Sequence, residues 1–475
     1  MALQSLQEIA FASRRAIDQR VGETRASRPR SRMWLKFAVE CLLLGTLLAA
    51  GGCSTHANRV REAHEHFYAG RVDEAAESYR AQVGRRAGDT DVLRLNLALV
   101  DLVSGRPREA EQALRVVRDE FDHLEQVDLA EVTLSMLTDD QQLAYDGEDY
   151  EKVLARVFLA LSNLMHDGGD AEAYSLQINA KQNELLHRAG EQQVENVEAA
   201  YTPLAIGPYL RGMLREATHA NYDDAQQAYA QVVSWQPNFR SGQHDLRRAS
   251  EGVHSQPGHG VLYVFALVDR GPVKEQALEI PTSQAMLVAD RIVSALGEYD
   301  VPPTLAAIKV PRVVVPPKEV DHVQLFAGDS LIGQTEVICD VADLAFRQQE
   351  AQFPHVMGRA VARRVIKKAA VYAAKDGMEV ESPWTDLAMS AVGVAWEATE
   401  AADTRCWGLL PREIQVLRIE LPAGQHKLQL RRAVRGQVLG VDAVVDVEVL
   451  DGRNSYLLGY FTGQGIIGRL VHNTP

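Results

Sequence analysis

The stretch Gly258-His-Gly-Val261-Leu-Tyr-Val-Phe-Ala-Leu-Val268-Asp-Arg-Gly271-Pro272 divides this 475-residue chain into two different kinds of sequence. Its apolar run, Val261 to Val268, is rich in β-branched and aromatic side chains and is bounded by Gly258 and by Gly271-Pro272. Those boundaries predict a buried strand. Upstream the apolar residues recur at helical spacing; downstream most segments alternate or run apolar between turn residues. The expected fold class is therefore α+β and multidomain, with the change of character at 250 to 258.

Upstream, Phe67-Tyr-Ala-Gly70-Arg-Val-Asp-Glu-Ala75-Ala-Glu-Ser-Tyr79 is echoed 35 residues later by Leu102-Val-Ser-Gly105-Arg-Pro-Arg-Glu-Ala110-Glu-Gln-Ala-Leu114. Ala63 and Ala98 keep the same offset, and a third copy runs through Tyr222, Ala225, Tyr229 and Pro237. Small residues let paired helices approach, residues four apart share a helix face, and proline ends the second helix. The pattern resembles the tetratricopeptide (TPR) repeat, whose period is about 34 residues. A single such unit cannot bury its apolar face alone, so stacking is implied. Between the second and third copies, Asp149–Leu164 carries a wide apolar stripe, and another helix is expected from Glu172 to Leu186. Residues 54–250 thus read as an all-α TPR-like domain of eight or nine helices, with Gly190 to Glu198 a loop or helix end.

Downstream, a helix is expected from Ser283 to Leu296. The proline-punctuated segment 301–317 should be extended, because proline is excluded from interior ladder positions. Val320 to Ala327 and Leu331 to Cys339 predict a hairpin about Gly328-Asp329. Residues 341–375 return to helix and carry a basic cluster (Arg359, Arg363, Arg364, Lys367, Lys368), read as a solvated face. Ile414–Leu421, Gln425–Arg432, Val441–Leu450 and Ser455–Phe461 are strands separated by turns. Residues 258–475 are expected to form a mixed α/β domain containing an antiparallel β-sandwich.

The N-terminal leader has its own logic. Phe37-Ala-Val-Glu-Cys41-Leu-Leu-Leu-Gly-Thr-Leu-Leu-Ala-Ala50-Gly-Gly-Cys53 is an apolar run ending in small residues and a thiol, with Arg28, Arg30, Arg32 and Lys36 upstream. This is the layout of a secretory signal. It resembles a bacterial lipoprotein signal with its lipobox, Ala50 standing where Leu is commoner. The resemblance implies cleavage of 1–52 and lipidation of Cys53. Ser54, where an aspartate would favour inner-membrane retention, implies the outer membrane, facing the periplasm. A start at Met33 would give a signal of ordinary size. The run is short for a membrane span, which takes roughly 20 apolar residues, and Glu40 interrupts it.

The chain carries a formal charge of −14. Its leader holds seven Arg and one Lys against four acids, so removal of that surplus of four leaves −18. So acidic a protein lacks the field that draws nucleic acid. Of four cysteines, Cys41 leaves with the signal and Cys53 takes the lipid; Cys339 and Cys406 remain, as a disulfide or as two buried thiols.

Gly463-Gln-Gly465-Ile-Ile-Gly468 spells a dinucleotide fingerprint but has neither a following helix nor a second strand. His64-Glu-His66 is too isolated to hold a metal, and no cofactor is indicated. The densest polar constellation is Asp403-Thr-Arg405-Cys406-Trp407. It admits two accounts: a glycan, small-ligand or enzyme site built on Asp403, Arg405 and Trp407, or a loop entering the core with a structural ion pair. The second is favoured, since no histidine lies nearby in sequence to activate a thiol.

Tyr145-x-Gly147-Glu148-x-x-Glu151-Lys152-Val-Leu154, Tyr263-Val264…Gly271-Pro272-x-Lys274, Arg359-Ala-x-Ala362-Arg363 and Asp403-Thr-Arg405-x-Trp407…Leu410-Pro411 together resemble a group of uncharacterised bacterial TPR-type lipoproteins. The resemblance implies a cell-envelope setting and supplies no catalytic residues. The expected role is non-enzymatic: a scaffold whose helices bind an envelope protein or peptide, tethered to the membrane through Cys53.

Overall fold

The computed structural model describes residues 55–126, 143–191, 202–296, 306–377 and 401–473. The signal, Met33, Cys41 and Cys53 lie outside the described residues, as does the stretch from 192 to 198 expected to close a helix. Among the described residues no helix is long and apolar enough to cross a membrane.

Among the described residues nine α-helices come first: α1 (His56–Tyr68), α2 (Val72–Gln82), α3 (Thr90–Val103), α4 (Pro107–Leu124), α5 (Asp149–Leu164), α6 (Ala171–Glu191), α7 (Ile206–Glu216), α8 (Tyr222–Trp235) and α9 (Arg240–Ser250). Each packs on the next. Gly70 and Gly105 end α1 and α3 at φ near +77° and +79°, where Arg71 N and Arg106 N reach back to the His66 and Asp101 carbonyls. Only glycine enters that conformation without strain, and it closes the helix for a tight reversal. Ala75 and Ala110 are fully buried. Helix α5 departs from its expected stripe. Every residue from Tyr150 to Leu164 is buried, with Lys152 and Arg156 held by Glu125 and Asp122 of α4.

The strands follow: β1 (His259–Arg270), β2 (Val273–Glu279), then helix α10 (Ser283–Leu296), β3 (Ile308–Val314), β4 (Val320–Ala327), β5 (Ser330–Gln334), β6 (Glu336–Asp340), helix α11 (Val341–Gly377), β7 (Pro411–Pro422), β8 (Gly424–Val434), β9 (Gln437–Val438), β10 (Ala443–Val449), β11 (Asn454–Thr462) and β12 (Gly465–Asn473). One sheet runs β12-β11-β1-β7-β6; a second runs β10-β8-β4-β5; β2 and β3 form a separate ribbon. Strand β1 pairs antiparallel with β7 but parallel with β11, from Val261 opposite Asn454 to Val268 opposite Phe461. The sandwich is thus mixed where a purely antiparallel one was expected.

Alternation along β1 explains the architecture. Val261, Tyr263, Phe265 and Leu267 face a core shared with the helices, whereas Leu262, Val264, Ala266 and Val268 face a second core shared with β4, β8 and β10. A strand covered on both sides must read apolar throughout, as this one does. The molecule is three layers, helices on sheet on sheet, and residues 53–475 form one compact unit. The expected boundary at 250 to 258 marks the change from helix to strand, and one apolar core runs across it. A third core gathers α10, β3 and α11 around Ala289, Val310, Met357 and Val361.

The expected strand 331–339 breaks in two. Thr335 is buried between β5 and β6, exchanging hydrogen bonds with the Val323 backbone at 2.9 and 3.0 Å and donating to Gln415 Oε1 at 2.6 Å. The chain changes sheets there, with β5 beside β4 and β6 beside β7. The discounted glycine motif lies in the β11–β12 hairpin and the start of β12. A Cβ on Gly468 would stand 2.2 Å from the Val103 carbonyl oxygen, so glycine there permits β12 to meet α3.

Candidate functional site

The segment from Ala401 to Leu410 enters β7 through the helical layer. Arg405 is buried, donates from Nη1 to the Gly88 and Leu143 carbonyls at 2.6 and 2.7 Å, and lies over the Tyr145 ring. Its Nε and Nη2 hold both oxygens of Asp403 at 2.6 to 3.0 Å. Burial alone would raise the Asp403 carboxyl, but the Arg405 hydrogen bonds and charge outweigh it and hold the group below its ordinary value. Thr404 Oγ1 accepts from Ala57 N at 3.1 Å, at the start of α1.

Trp407 is 1% exposed and packs on Phe158 of α5, with ring centroids 5.2 Å apart. Its backbone N–H donates to Glu151, Leu409 N donates to Asn96 Oδ1 at 3.0 Å, and Tyr68 donates to the Gly408 carbonyl at 3.3 Å. Three helices, α1, α3 and α5, therefore hold residues 403–409. Asp403, Arg405 and Trp407 do lie close together, but as an ion pair and a core indole; none of them lines the cleft described below.

Both remaining cysteines are free and buried. Burial pushes the Cys406 thiol up to about 12 and raises Cys339 further. A nucleophilic thiol needs the opposite shift, toward neutral pH.

The far end of the helical layer is tied to the sheet by a buried charge cluster. Glu216 has no exposed surface, accepts from Tyr229 Oη at 2.8 Å and pairs with Arg248; Arg418 of β7 lies 3.7 Å away. A second polar cluster surrounds buried Glu111, which accepts from Tyr174 at 2.6 Å and meets His166 and Asn163. Neither cluster was legible in sequence, because Glu111 lies 52 to 63 residues from Asn163, His166 and Tyr174, and Arg248 and Arg418 lie 32 and 202 residues from Glu216.

A cleft of about 760 Å³ opens between the start of α1 and the β1–β2 turn. Thr55, His64, Tyr68, Arg270, Lys274 and Gln276 contribute to its wall. The His64 ring lies against Gly408, where a Cβ would come within 2.4 Å of it. Burial, reinforced by His56 and Arg270, lowers the imidazole to about 3 and keeps it neutral. Lys274 is paired with Glu148. The Arg270 guanidinium rests 4.3 Å from the Tyr68 ring centroid and has no carboxylate partner among the described residues. Sequence reading passed over this residue, since a lone arginine after an apolar strand carries no motif. No family model, no curated protein sequence and no solved structure matches this chain.

Proposed function

We propose that this protein is a lipid-anchored scaffold of the bacterial outer membrane, facing the periplasm, whose TPR-like helical layer binds an envelope protein or peptide. The observation that carries the reading is a groove of about 530 Å³ across α4, α5 and α6, lined by Arg118, Asp122, Glu125, Arg156, Lys181 and Glu184. It lies on helices whose apolar side chains already pack into a core shared with the sheet; Arg156 pairs with Asp122 and Lys181 with Glu125 and Glu184 across it, so a charged peptide segment would bind by exchanging into this network. Mixed charge along the rim suits a partner with complementary alternation and gives register more than raw affinity. The tether is supported by the sequence Ala50-Gly-Gly-Cys53, and the repeat register by the Gly70/Gly105 and Ala75/Ala110 pairs.

Two measurements test this. Metabolic labelling with a palmitate analogue should mark the wild-type chain and spare Cys53→Ala. A photo-cross-linker at Gln177, which also lines the groove, should trap one discrete envelope protein, and Arg118→Glu with Arg188→Glu should abolish the adduct. An unlabelled chain in the cytosol, or adducts indifferent to the charge reversals, would defeat the reading.

A further inference from the structure

Arg270 is fixed by both of its neighbours. Asp269 sits at φ +56°, a left-handed conformation that aspartate enters more readily than most residues, and its carboxylate accepts from Glu319 N and Val320 N at 2.8 Å. Tyr460 donates to the Asp269 carbonyl at 2.9 Å. On the other side Gly271 donates from its N–H to the Leu410 carbonyl at 2.9 Å, and a Cβ there would fall 2.3 Å from the same oxygen. The adjacent carboxylate is thus engaged by backbone amides, and the guanidinium stands in the cleft over Tyr68 with no acid facing it as a partner.

We infer that the Arg270 cleft binds the phosphate of a lipid headgroup. A guanidinium fork pairs two phosphate oxygens at once, and 760 Å³ is the volume of a small-molecule site. The lipid assignment rests on the proposed anchor. Two peptide units separate Cys53 from Thr55, which lines the cleft, so the Cα that would carry the lipid lies within about 7 Å of the Thr55 Cα. General electrostatics oppose the association, because the mature chain carries −18 and Glu65 and Glu275 also border the cleft. Attraction of the chain without its anchor to a bilayer must therefore come from a specific site.

The test uses chain 54–475, which contains every residue of the three cores. Its binding to water-soluble dihexanoyl phosphatidylethanolamine and to inorganic phosphate is measured by calorimetry. Flotation follows its association with vesicles of phosphatidylethanolamine and phosphatidylglycerol. The wild type should bind the short lipid and float. Arg270→Gln should weaken lipid binding at least ten-fold with an unchanged thermal midpoint, and Arg270→Lys should fall between. Absence of lipid binding, equal binding by Arg270→Gln, or binding of inorganic phosphate alone would overturn the inference. Palmitate labelling is read separately: labelled Cys53 with no lipid binding removes the site and leaves the anchor, whereas lipid binding by an unlabelled protein does the reverse.

Discussion

The backbone N–H of Trp407 donates to Oε1 of Glu151 at 2.8 Å, joining the segment that enters β7 to the first turn of α5. Glu151 also caps its own helix through Glu148 N at 3.2 Å and accepts from Tyr145 and Tyr150. One carboxylate, with no exposed surface, thus organises a helix terminus, two tyrosines and the loop that locks the helical layer to the sheet.

Burial raises the Glu151 carboxyl above its ordinary value of 4.5. A folded state that holds the proton more tightly than the unfolded chain is favoured below 4.5, and that advantage is lost as pH rises through the raised value. Glu151→Gln should therefore flatten this part of the stability profile above pH 4.5. Glu151→Ala should cost about 3 kcal/mol at neutral pH by leaving buried donors unpaired. Urea titrations of both variants from pH 4 to 8 check the two slopes.

Trp407 fills space against Phe158, and its indole nitrogen has no hydrogen-bond partner among the described residues. Trp407→Phe loses contact area only and should cost about 1–2 kcal/mol, against about 3–5 for Trp407→Ala, which leaves a cavity. Chemical denaturation gives both values. A tryptophan that served chiefly to hold a ligand would leave stability unchanged in either variant.

These residues also show how far the sequence could be read. Val261–Val268 announced a buried strand because both of its faces are covered, whereas Gly70 and Gly105, expected to let paired helices approach, end α1 and α3 at positive φ. Strand β12 went unnoticed, since its glycines at 465 and 468 and polar Arg469 broke the apolar pattern. The break at Thr335 was hidden because both halves read as strand, and which sheet each joins is set by Val323 and Gln415. At Asp403-Thr-Arg405-Cys-Trp407 the residue types were conspicuous, but their partners (Gly88, Leu143, Glu151) are distant in sequence, so only folding distinguishes a staple from a pocket.

Cys339 and Cys406 are both buried, with thiols raised by burial. At pH 8 the folded protein should react with a thiol reagent far more slowly than a free cysteine, since the thiolate fraction falls about ten-fold per unit of raised pKa. Both should react at once in denaturant without prior reduction. A latent period cured by dithiothreitol would reveal a disulfide instead.

His64 is held to about 3 by burial, with His56 and Arg270 acting in the same direction. The unfolded chain takes up a proton near pH 6.5 while the folded one does not, so this contribution is intact above 6.5 and is lost as pH falls toward 3. Lowering the pH from 7.5 to 5.5 should remove about 1.4 kcal/mol through this group alone. His64→Gln should lose that increment. The difference between wild type and variant at each pH isolates it from the carboxylates, whose slopes both proteins share.

The helical and β-rich halves should not survive separation at the boundary their sequences suggest. A fragment 258–475 would expose Tyr263, Phe265, Leu267, Tyr456 and Tyr460, all fully or nearly fully buried in the intact chain. A fragment 54–250 would expose the opposing faces of α1, α3 and α7, including Phe67, which meets Tyr460 at 5.5 Å, and Tyr209, which meets Tyr263 at 6.4 Å. Exposed apolar patches of that kind drive association between copies. Each fragment alone should elute as aggregate and lack near-ultraviolet dichroism, and the two expressed together should recover a soluble complex because their shared core can close. Independent folding of 258–475 would mean that its β-sheets do not need the helices, and the three-layer core would lose its role in holding the molecule together.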